Sequence, residues 1–552
     1  MSTKLGKKLS GAVIFAMILV AGILFYSLRQ GLLVSPFIKM GINMLRYPYY
    51  QKTNFLSFQE LRSLYKNPNP RGWLGLRLQQ FWTTPIISNE AYYRGTRANR
   101  LTDPKLGPYL QVATWNVEKS FRVPEAIKLL TSDEEFQRMI DQEKILPGSD
   151  AYKNIARQRD RLIHSDVILL QEMAIGVNRS GYMDAARELA KALNMNYAYG
   201  PEQLEIDPVL LGVEKILNDD GTVDEEATKF FSADPGKYKG VFGSAVLSRY
   251  PIKRAQVFQL KSQAYDWYTK EKEKTTFLEN SRRLGSEIVF NNQISREVKK
   301  GGRIFFRVDL DVPGVRGGTL TVVNIHLEIK CEPEGRQNQM AEILHYLYKV
   351  KNPLIVAGDF NSAPTDLSPT SVTRTVKRTA ENPTTWFSAG VAYFSPHALA
   401  VNTSRFVSNL TKNFQDPTAR DIPVVAPNKV KGLFELMRDF RTSNGGAFDF
   451  RGDEIRSMYG HHGTLANSNQ RDFKGFKTTF SVKRPLGPWI GKYRLDWMFV
   501  KSGLKDPFDD LGSYQLAPHF GETLEELNTS LKTQISDHHP NVVDLPFRKP
   551  KA

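Results

Sequence analysis

The chain is poor in cysteine: Cys331 is the single cysteine in 552 residues. One cysteine excludes an internal disulfide framework and a cysteine-rich zinc site. The sequence also has neither an internal repeat nor a low-complexity tract, and its 41% of hydrophobic residues is ordinary for a globular protein. The length allows a large core with appendages.

Acidic residues are in deficit. The chain has 75 Lys and Arg against 58 Asp and Glu, a difference of 75 − 58 = +17. A net charge of this sign attracts polyanions, that is, nucleic acid, anionic lipid or phosphorylated substrates. The charge limits the class of partner without identifying one.

A long uncharged run, GAVIFAMILVAGILFYSL, occupies residues 11–28 behind Lys4, Lys7 and Lys8. It reaches the minimum length of a bilayer-spanning helix. It is longer than the apolar part of a usual signal peptide, the alternative interpretation, and no small-residue cleavage pattern follows. We therefore predict a single-pass membrane anchor over residues 1–30, with the bulk of the chain on the extracytoplasmic side.

Residues 31–108 form a basic segment. Between Arg29 and Gly107 there are twelve Lys or Arg residues and three acidic residues. Basic residues beside a membrane anchor are attracted to anionic headgroups by ~1 kcal/mol each. We predict that residues 31–108 lie along the bilayer, and a solvated basic connector is the alternative.

The residue pattern changes at residue 109, where apolar, β-branched runs of strand length begin to alternate with helical patterns. Mixed strands and helices over such a length predict sheets covered by helices, an α/β domain over residues 109–547. Three stretches do not follow this rhythm and are predicted to be insertions, near residues 201–240, 261–300 and 366–470.

Polar residues recur where these apolar runs end. Each one alone is typical of a cap, a turn or a satisfied core residue. Six runs with the same feature indicate a shared site instead. The residues are Asn116 and Glu118, Gln171 and Glu172, His326 and Glu328, Asp359 and Asn361, Asp496, and Asp537 with His538.

The ordered motifs Trp-Asn, Gln-Glu, Asn-x-His-Leu, Gly-Asp-Phe-Asn, Leu-Asp-Trp and Ser-Asp-His resemble those of the endonuclease/exonuclease/phosphatase superfamily. This family includes deoxyribonucleases, AP endonucleases, deadenylases, neutral sphingomyelinases and inositol phosphatases. The resemblance covers roughly residues 109 to 547. It implies a four-layer α/β/β/α sandwich, two packed mixed sheets flanked by helices, that hydrolyses phosphoesters with a divalent cation.

The resemblance also implies how a metal and a phosphate would be bound. Glu172 is the expected metal ligand, with Asn116 and Asp537 near the metal. Mg²⁺ is the expected ion and Mn²⁺ its alternative, because both prefer hard oxygen ligands. Asn116 and Asn361 are expected to bind the phosphate.

Four further residues are expected to be catalytic. Asp359 would orient or deprotonate the attacking water, and His538 would act as general acid or base. Asp496 would orient the imidazole of His538, since a carboxylate buried among apolar residues needs a partner. His326 would be a second imidazole, whereas His539 is expected in a loop or at the surface.

The substrate remains open at this stage. Residues 471–494 contain seven basic residues and one acidic residue, interleaved with aromatic residues, a composition that favours nucleic acid. The predicted anchor favours the alternative function, a lipid phosphodiesterase or phosphatase similar to a sphingomyelinase. Phospholipid would then be the substrate. An inactive membrane-bound binding module is the third interpretation. The Trp-Cys-Asp-Arg signature of the inositol phosphatases is absent around Asp496.

Overall fold

The computed structural model describes residues 46–104, 106–218, 220–272, 297–362, 430–450, 468–472, 475–481, 492–502, 515–516 and 520–548. The chain divides into a unit of residues 1–49 and a compact unit of residues 50–552. The predicted anchor lies outside the described residues. Within the described ranges, no helix combines the length and apolar character required to cross a membrane.

The described strands belong to one sheet of ten strands, one of five, and two short ribbons. The strands are β1 Tyr50–Gln51, β2 Ile86–Ser88, β3 Leu101–Asp103, β4 Gly107–Asn116, β5 Val167–Ile175, β6 Asn196–Glu205, β7 Val241–Ser248, β8 Ile252–Gln259, β9 Lys299–Gly301, β10 Ile304–Asp311, β11 Thr319–His326, β12 Leu354–Asp359, β13 Arg471–Asp472, β14 Gly475–Phe476, β15 Phe480–Ser481, β16 Lys492–Tyr493, β17 Asp496–Lys501, β18 Phe520–Thr523 and β19 Asn541–Pro546.

The large sheet has the order β1-β2-β6-β7-β5-β4-β19-β18, with β3 on β4 and β9 on β6, and the small sheet has the order β17-β12-β11-β10-β8. The helices are α1 Phe58–Lys66, α2 Gly72–Thr83, α3 Glu90–Tyr93, α4 Val123–Thr131, α5 Asp133–Met139, α6 Asp150–Ile163, α7 Ala185–Ala192, α8 Glu225–Phe231, α9 Thr269–Lys272, α10 Pro333–Leu347, α11 Lys431–Asp439 and α12 Glu525–Thr529.

Side chains of the central strands are buried on both faces of each sheet. In β5, Val167 and Leu169 pack between the two sheets. Ile168 and Leu170 point to the opposite face and pack against helices. Burial on both faces explains why these strands appear in the sequence as continuous apolar runs rather than as alternating patterns.

Three apolar clusters define four layers. One lies between the two sheets, a second lies between the large sheet and helices that include α4, α6 and α7, and a third lies between the small sheet and helices α10 and α11. The order helix, sheet, sheet, helix confirms the predicted mixed α/β fold.

The folded unit begins before residue 109, the boundary that we predicted. Leu61, Leu64 and Phe81 of α1 and α2 are buried in the core, and β2 pairs with β6. Residues 50–108 are therefore part of the same unit as the sheets. The three residues of β2 are too few to show a periodic pattern, so this strand could not be predicted from the sequence.

Both sheets contain a parallel pair that ends at the same edge of the sandwich. β4 runs parallel to β5 and β11 parallel to β12. The antiparallel strands β17 and β19 begin beside the ends of β12 and β4. Polar residues at these strand ends are therefore gathered at one edge.

Candidate active site

Three of the predicted residues lie side by side across the end of the small sheet. His326 at the end of β11 is in register with Asp359 at the end of β12, and Asp359 is in register with Asp496 at the start of β17. All three are buried, with exposed fractions of 6%, 2% and 1%. The sheet thus holds two carboxylates and an imidazole in a fixed row.

Glu172 is presented by a β-bulge in the large sheet. The pairing of β5 with β7 shifts between Leu170 and Met173, and Glu172 has a left-handed φ of 62°. The Ser120 hydroxyl donates to the Glu172 carbonyl at 2.9 Å and accepts from the Ala174 N–H at 3.0 Å. A strained residue in a bulge turns its side chain out of the strand, a feature common at functional sites.

Asn116 joins the two sheets at the site. Its amide nitrogen donates to Glu172 at 3.3 Å and to Asp359 at 3.1 Å. Its oxygen accepts from the backbone N–H of Glu118 at 3.1 Å. The N–H groups of the amide, rather than its oxygen, therefore face the two carboxylates in this structure.

Asn361 is held against Asp359. The backbone N–H of Asn361 donates to Asp359 Oδ1 at 2.8 Å. The side-chain nitrogen donates to the Leu327 carbonyl at 2.9 Å and to Asp359 Oδ2 at 3.3 Å. A phosphoryl oxygen that approached Asn361 would compete with Asp359 for the longer of these bonds.

His538 and Asp496 form a buried pair, with Nδ1 of the imidazole 2.8 Å from Asp496 Oδ2. The other imidazole nitrogen, Nε2, lies 3.9 Å from Asp359 Oδ2. Burial by itself would lower the pKa of His538, but Asp496, Asp537 and Asp359 outweigh it and raise that pKa well above its ordinary value. The carboxylates around His538 therefore favour its charged form.

Asp359 has a shifted pKa for a different reason. Burial raises the pKa of Asp359, and the nearby Asp496 raises it further, while His538 and His326 act in the opposite direction. A carboxylate with a raised pKa is a stronger proton acceptor than an ordinary one.

His326 has partners that the sequence did not reveal. Its Nδ1 lies 3.2 Å from Glu202 Oε2 and 2.7 Å from Arg303 Nη1, and its Nε2 lies 3.7 Å from Glu172 Oε1. Arg303 in turn contacts Glu328 at 3.2 Å. Glu202 lies at a second register shift, in β6, inside a stretch that we interpreted as an insertion, so only the polar break in that strand could have indicated it.

The donor atoms at Glu172 suit a hard divalent cation. Burial raises the pKa of Glu172, but His326 and Lys119 outweigh burial and lower it, so the carboxylate is ionised. Each of its oxygens accepts one hydrogen bond, from Asn116 or from the backbone of Lys119, and keeps a lone pair for a ligand. The side chain is 20% exposed.

Among the described residues, no three His, Cys, Asp or Glu side chains converge as a ready metal site. Mg²⁺ usually keeps several waters and takes one or two carboxylates together with substrate phosphates. Glu172 with water and phosphate ligands therefore fits such an ion. Asp537 lies next to His538 in the turn before β19 and acts on its pKa.

The structure narrows two expectations from the sequence. His539 lies in the loop before β19 and is buried there: it is 1% exposed, and its Nδ1 lies 3.2 Å from Asn528. In residues 471–494, Arg494 is buried and donates to the Lys477 carbonyl at 2.9 Å. Phe476 is also buried in the core. Both side chains support the fold and are not available to nucleic acid.

The other residues of that basic segment are described only in part. Lys477 contacts Glu526 at 3.2 Å. The parts of the segment outside the described residues are 473–474 and 482–491.

Comparison with solved structures gives matches of low identity and low TM-score. An endonuclease/exonuclease/phosphatase from Beutenbergia cavernae DSM 12333 is 16% identical, with a TM-score of 0.35, and the match covers 80% of this chain and 72% of that one. The human Nocturnin catalytic domain is 12% identical, with a TM-score of 0.31 and coverages of 79% and 93%. ANGEL2, a 2′,3′-cyclic phosphatase, is 12% identical, with a TM-score of 0.29 and coverages of 79% and 94%.

The comparison with curated proteins yields no match. The family model described as Endonuclease/Exonuclease/phosphatase family matches residues 113–538. This range contains the six motifs and every residue of the site described above. Since the match spans more than half of the chain, the chain belongs to the endonuclease/exonuclease/phosphatase family.

Proposed function

We propose that the chain is a divalent-metal-dependent phosphodiesterase that hydrolyses nucleic acid by attack of water on phosphorus. The observation that carries this proposal is the position of His538 between two carboxylates: Nδ1 lies 2.8 Å from Asp496 Oδ2 and Nε2 lies 3.9 Å from Asp359 Oδ2. The neighbouring carboxylates raise the pKa of His538, and burial raises that of Asp359. Phosphoester hydrolysis needs both a proton acceptor and a positive charge at the phosphoryl group.

We propose a role for each group that is consistent with these distances. Asp359 accepts the proton of the attacking water, and Asn361 holds the carboxylate through its backbone N–H. Protonated His538 donates through Nε2 to a phosphoryl oxygen, while Asp496 fixes the ring by its contact at Nδ1. His326, whose Nε2 lies 3.7 Å from Glu172 Oε1, is the proposed second imidazole of the site and would assist the leaving oxygen.

A divalent cation, Mg²⁺ or alternatively Mn²⁺, would neutralise charge on the phosphoryl oxygens when bound. Glu172 and Asp537 would hold it. Asn116 keeps Glu172 and Asp359 at a fixed separation, and in-line attack depends on such positioning.

Nucleic acid is our first substrate class because the chain carries a net charge of +17 and a phosphate backbone is the most highly charged common polyanion. A lipid phosphodiesterase is the second candidate. It is supported by two side chains on α2, Trp73 and Leu76, which are 73% and 63% exposed, and by the predicted anchor. We also propose that residues 11–28 tether the enzyme to a membrane, with the catalytic domain on the extracytoplasmic side.

The test uses the full-length chain, purified in detergent, with Mg²⁺ and with plasmid DNA, RNA, sphingomyelin vesicles or phosphoinositide vesicles. We expect cleavage of nucleic acid that chelator abolishes and that Asp359→Ala lowers by about 10²- to 10⁴-fold. Asp133→Ala, which removes an 88% exposed carboxylate on α5, is the matched control and should retain activity.

Other outcomes would replace the proposal. Release of a lipid headgroup without cleavage of nucleic acid would establish the lipid phosphodiesterase. Absence of turnover with every substrate would favour the inactive binding module.

A further inference from the structure

Strand β4 ends just before the bulge that carries Glu172. The ladder between β4 and β5 ends at the pair Asn116 and Gln171, so the next residues of β5 extend beyond the end of β4. On its other side, β5 continues to pair with β7 past the register shift that spans Glu172. The bulge therefore has a strand beside it on one side and lies beyond the end of β4 on the other.

Ser120 takes the place of a strand on the β4 side of the bulge. Its hydroxyl donates to the Glu172 carbonyl at 2.9 Å and accepts from the Ala174 N–H at 3.0 Å. Ser120 and Ala174 are both 0% exposed, so bulk water does not reach this hydroxyl or this N–H. Because a buried backbone group needs a partner, one hydroxyl supports the backbone on both sides of the bulge.

The hydroxyl reaches the bulge because the backbone before it turns in the left-handed sense. Glu118, Lys119 and Ser120 have φ values of 44°, 52° and 59°, a conformation that few residues other than glycine adopt. The Asn116 side-chain oxygen accepts from the Glu118 N–H at 3.1 Å where this segment begins. Strained residues persist only where their surroundings hold them. We call residues 118–120 the left-handed turn.

The left-handed turn holds both the main chain and the side chain of Glu172. Besides the bond from Ser120 to the carbonyl, the backbone N–H of Lys119 donates to Glu172 Oε2 at 2.8 Å. Arg179 supports the turn, since its Nε donates to the Lys119 carbonyl at 3.0 Å. The two terminal nitrogens of Arg179 donate to Glu205, each at 2.6 Å. The orientation of the Glu172 carboxylate therefore depends on this three-residue segment.

We propose that Ser120 is a positioning residue for the metal: by holding the bulge, it keeps the Glu172 carboxylate oriented towards a divalent cation. The proposal rests on the proposed function, in which Glu172 holds that cation. Groups that orient a metal ligand without touching the metal have a large effect, and their loss commonly costs about 10- to 100-fold in metal affinity or activity. The role of Ser120 is therefore expressed in the affinity for the metal, and in catalysis only through that affinity.

The test measures binding of Mn²⁺ to the full-length chain in detergent, without substrate, from the electron paramagnetic resonance signal of the free ion. Ser120→Gly is the main variant, because glycine adopts a left-handed φ without strain and lacks the hydroxyl. We expect the dissociation constant for Mn²⁺ to rise about 10- to 100-fold in Ser120→Gly and in Ser120→Ala. Glu172→Ala should abolish the binding, which would assign the ion to Glu172.

Cleavage of plasmid DNA during a titration with Mn²⁺ is the second measurement. The concentration of Mn²⁺ that gives half of the maximal rate should rise in Ser120→Gly by the same factor as the dissociation constant. At saturating Mn²⁺, the KM for DNA should equal that of the wild type, because Ser120 acts on the metal ligand and not on the substrate.

Asn194→Gly is the matched control. Asn194 also has a left-handed φ, 52°, and is exposed. It precedes β6 at the end of the large sheet opposite to Glu172. Its replacement should leave both the affinity for Mn²⁺ and the rate unchanged. An equal fall in affinity in Asn194→Gly would overturn the positioning role.

Thermal denaturation of the same variants separates positioning of the metal ligand from general support of the fold. A lower melting temperature in Ser120→Gly with an unchanged affinity for Mn²⁺ would overturn the proposal. Ser120→Gly relieves strain in the left-handed turn, so it decides the question even where Ser120→Ala fails to fold.

Binding and cleavage distinguish this proposal from the proposed function. Weaker binding of Mn²⁺ in the Ser120 variants, without cleavage of nucleic acid by the wild type, would refute the proposed function and keep the positioning role. Cleavage of nucleic acid with equal affinity for Mn²⁺ in all Ser120 variants would do the reverse. Absence of Mn²⁺ binding by the wild type would overturn both.

Discussion

The charge on His538 is set by its neighbours. Three carboxylates, Asp496, Asp537 and Asp359, act on one buried imidazole and raise its pKa. In the unfolded chain the ordinary value of 6.5 applies. The stability that this charge contributes is therefore complete below about pH 6.5 and is lost as the pH rises through the raised pKa of the folded state.

Asp496→Asn tests the role of this charge in catalysis. Without the Asp496 carboxylate the pKa of His538 falls, so the alkaline limb of the kcat/KM profile should move to lower pH. At pH 8 we expect kcat/KM to decrease by about a hundredfold, within the range for loss of a positioned proton donor. The pH dependence of kcat/KM, measured for the variant and for the wild type, checks this expectation.

Glu188→Gln is the control for this prediction, since Glu188 is 43% exposed on α7 and should leave both limbs unchanged. A shift of the acid limb alone would mean that His538 acts as a base instead of a proton donor.

The sequence identified the residues of the site, but it did not predict which residues contact one another there. Polar breaks in apolar runs led to Asn116, Glu172 and Asp359, because a buried strand shows few polar residues without a reason. The partners Glu202 and Arg303 of His326 could not be predicted. Glu202 lies in β6 of the large sheet and Arg303 lies just before β10 of the small sheet, so they meet only when the two sheets pack.

Strands were predicted more accurately than the irregular features that shape them. The apolar run at residues 353–359 corresponds to β12 Leu354–Asp359, and the run at 320–328 corresponds to β11 Thr319–His326. The bulge at Glu172 could not be predicted, because a one-residue insertion in a ladder depends on the partner strand and not on local pattern.

Gly358→Ala tests how tightly β11 and β12 approach below the site. Gly358 has a φ of 142°, and a Cβ there would lie 2.0 Å from the Ile325 carbonyl oxygen. We expect a loss of at least ~2 kcal/mol in the free energy of unfolding, from strain and overpacking together. Activity should fall as well, because the neighbouring Asp359 would be displaced. Urea denaturation and kcat provide the two measurements.

Gly212→Ala separates the two causes. Gly212 has a φ of 61° and nothing within 4 Å of an added Cβ. The free energy of unfolding of Gly212→Ala should therefore decrease by only ~1–2 kcal/mol, the cost of backbone strain. Equal losses in both variants would show that close approach at Gly358 is unimportant.

The whole molecule consists of the α/β sandwich and the predicted membrane anchor of residues 1–30. The strands and helices of the described sandwich begin at Tyr50. Deletion of residues 1–30 should therefore move the activity from the membrane fraction to the soluble fraction of expressing cells, with little change in melting temperature. Fractionation, activity assay and thermal denaturation of both forms test this.

Val20→Lys is a second variant for the same prediction. A charge near the centre of the apolar run costs about 2.5 to 3.5 kcal/mol on insertion, so membrane association should weaken. Soluble wild-type protein would contradict the retained anchor.

A hydrogen bond between Gln171 and Asn324 connects the two sheets of the sandwich. Gln171 of the large sheet donates to Asn324 of the small sheet at 2.6 Å, and Asn324 donates to the carbonyls of Leu170 and Ala245 at 2.9 and 2.8 Å. Apolar contact between sheets has no preferred direction, whereas these bonds do. They set the alignment of the two sheets just below the active edge, so that Glu172 from one sheet and Asp359 from the other both contact Asn116.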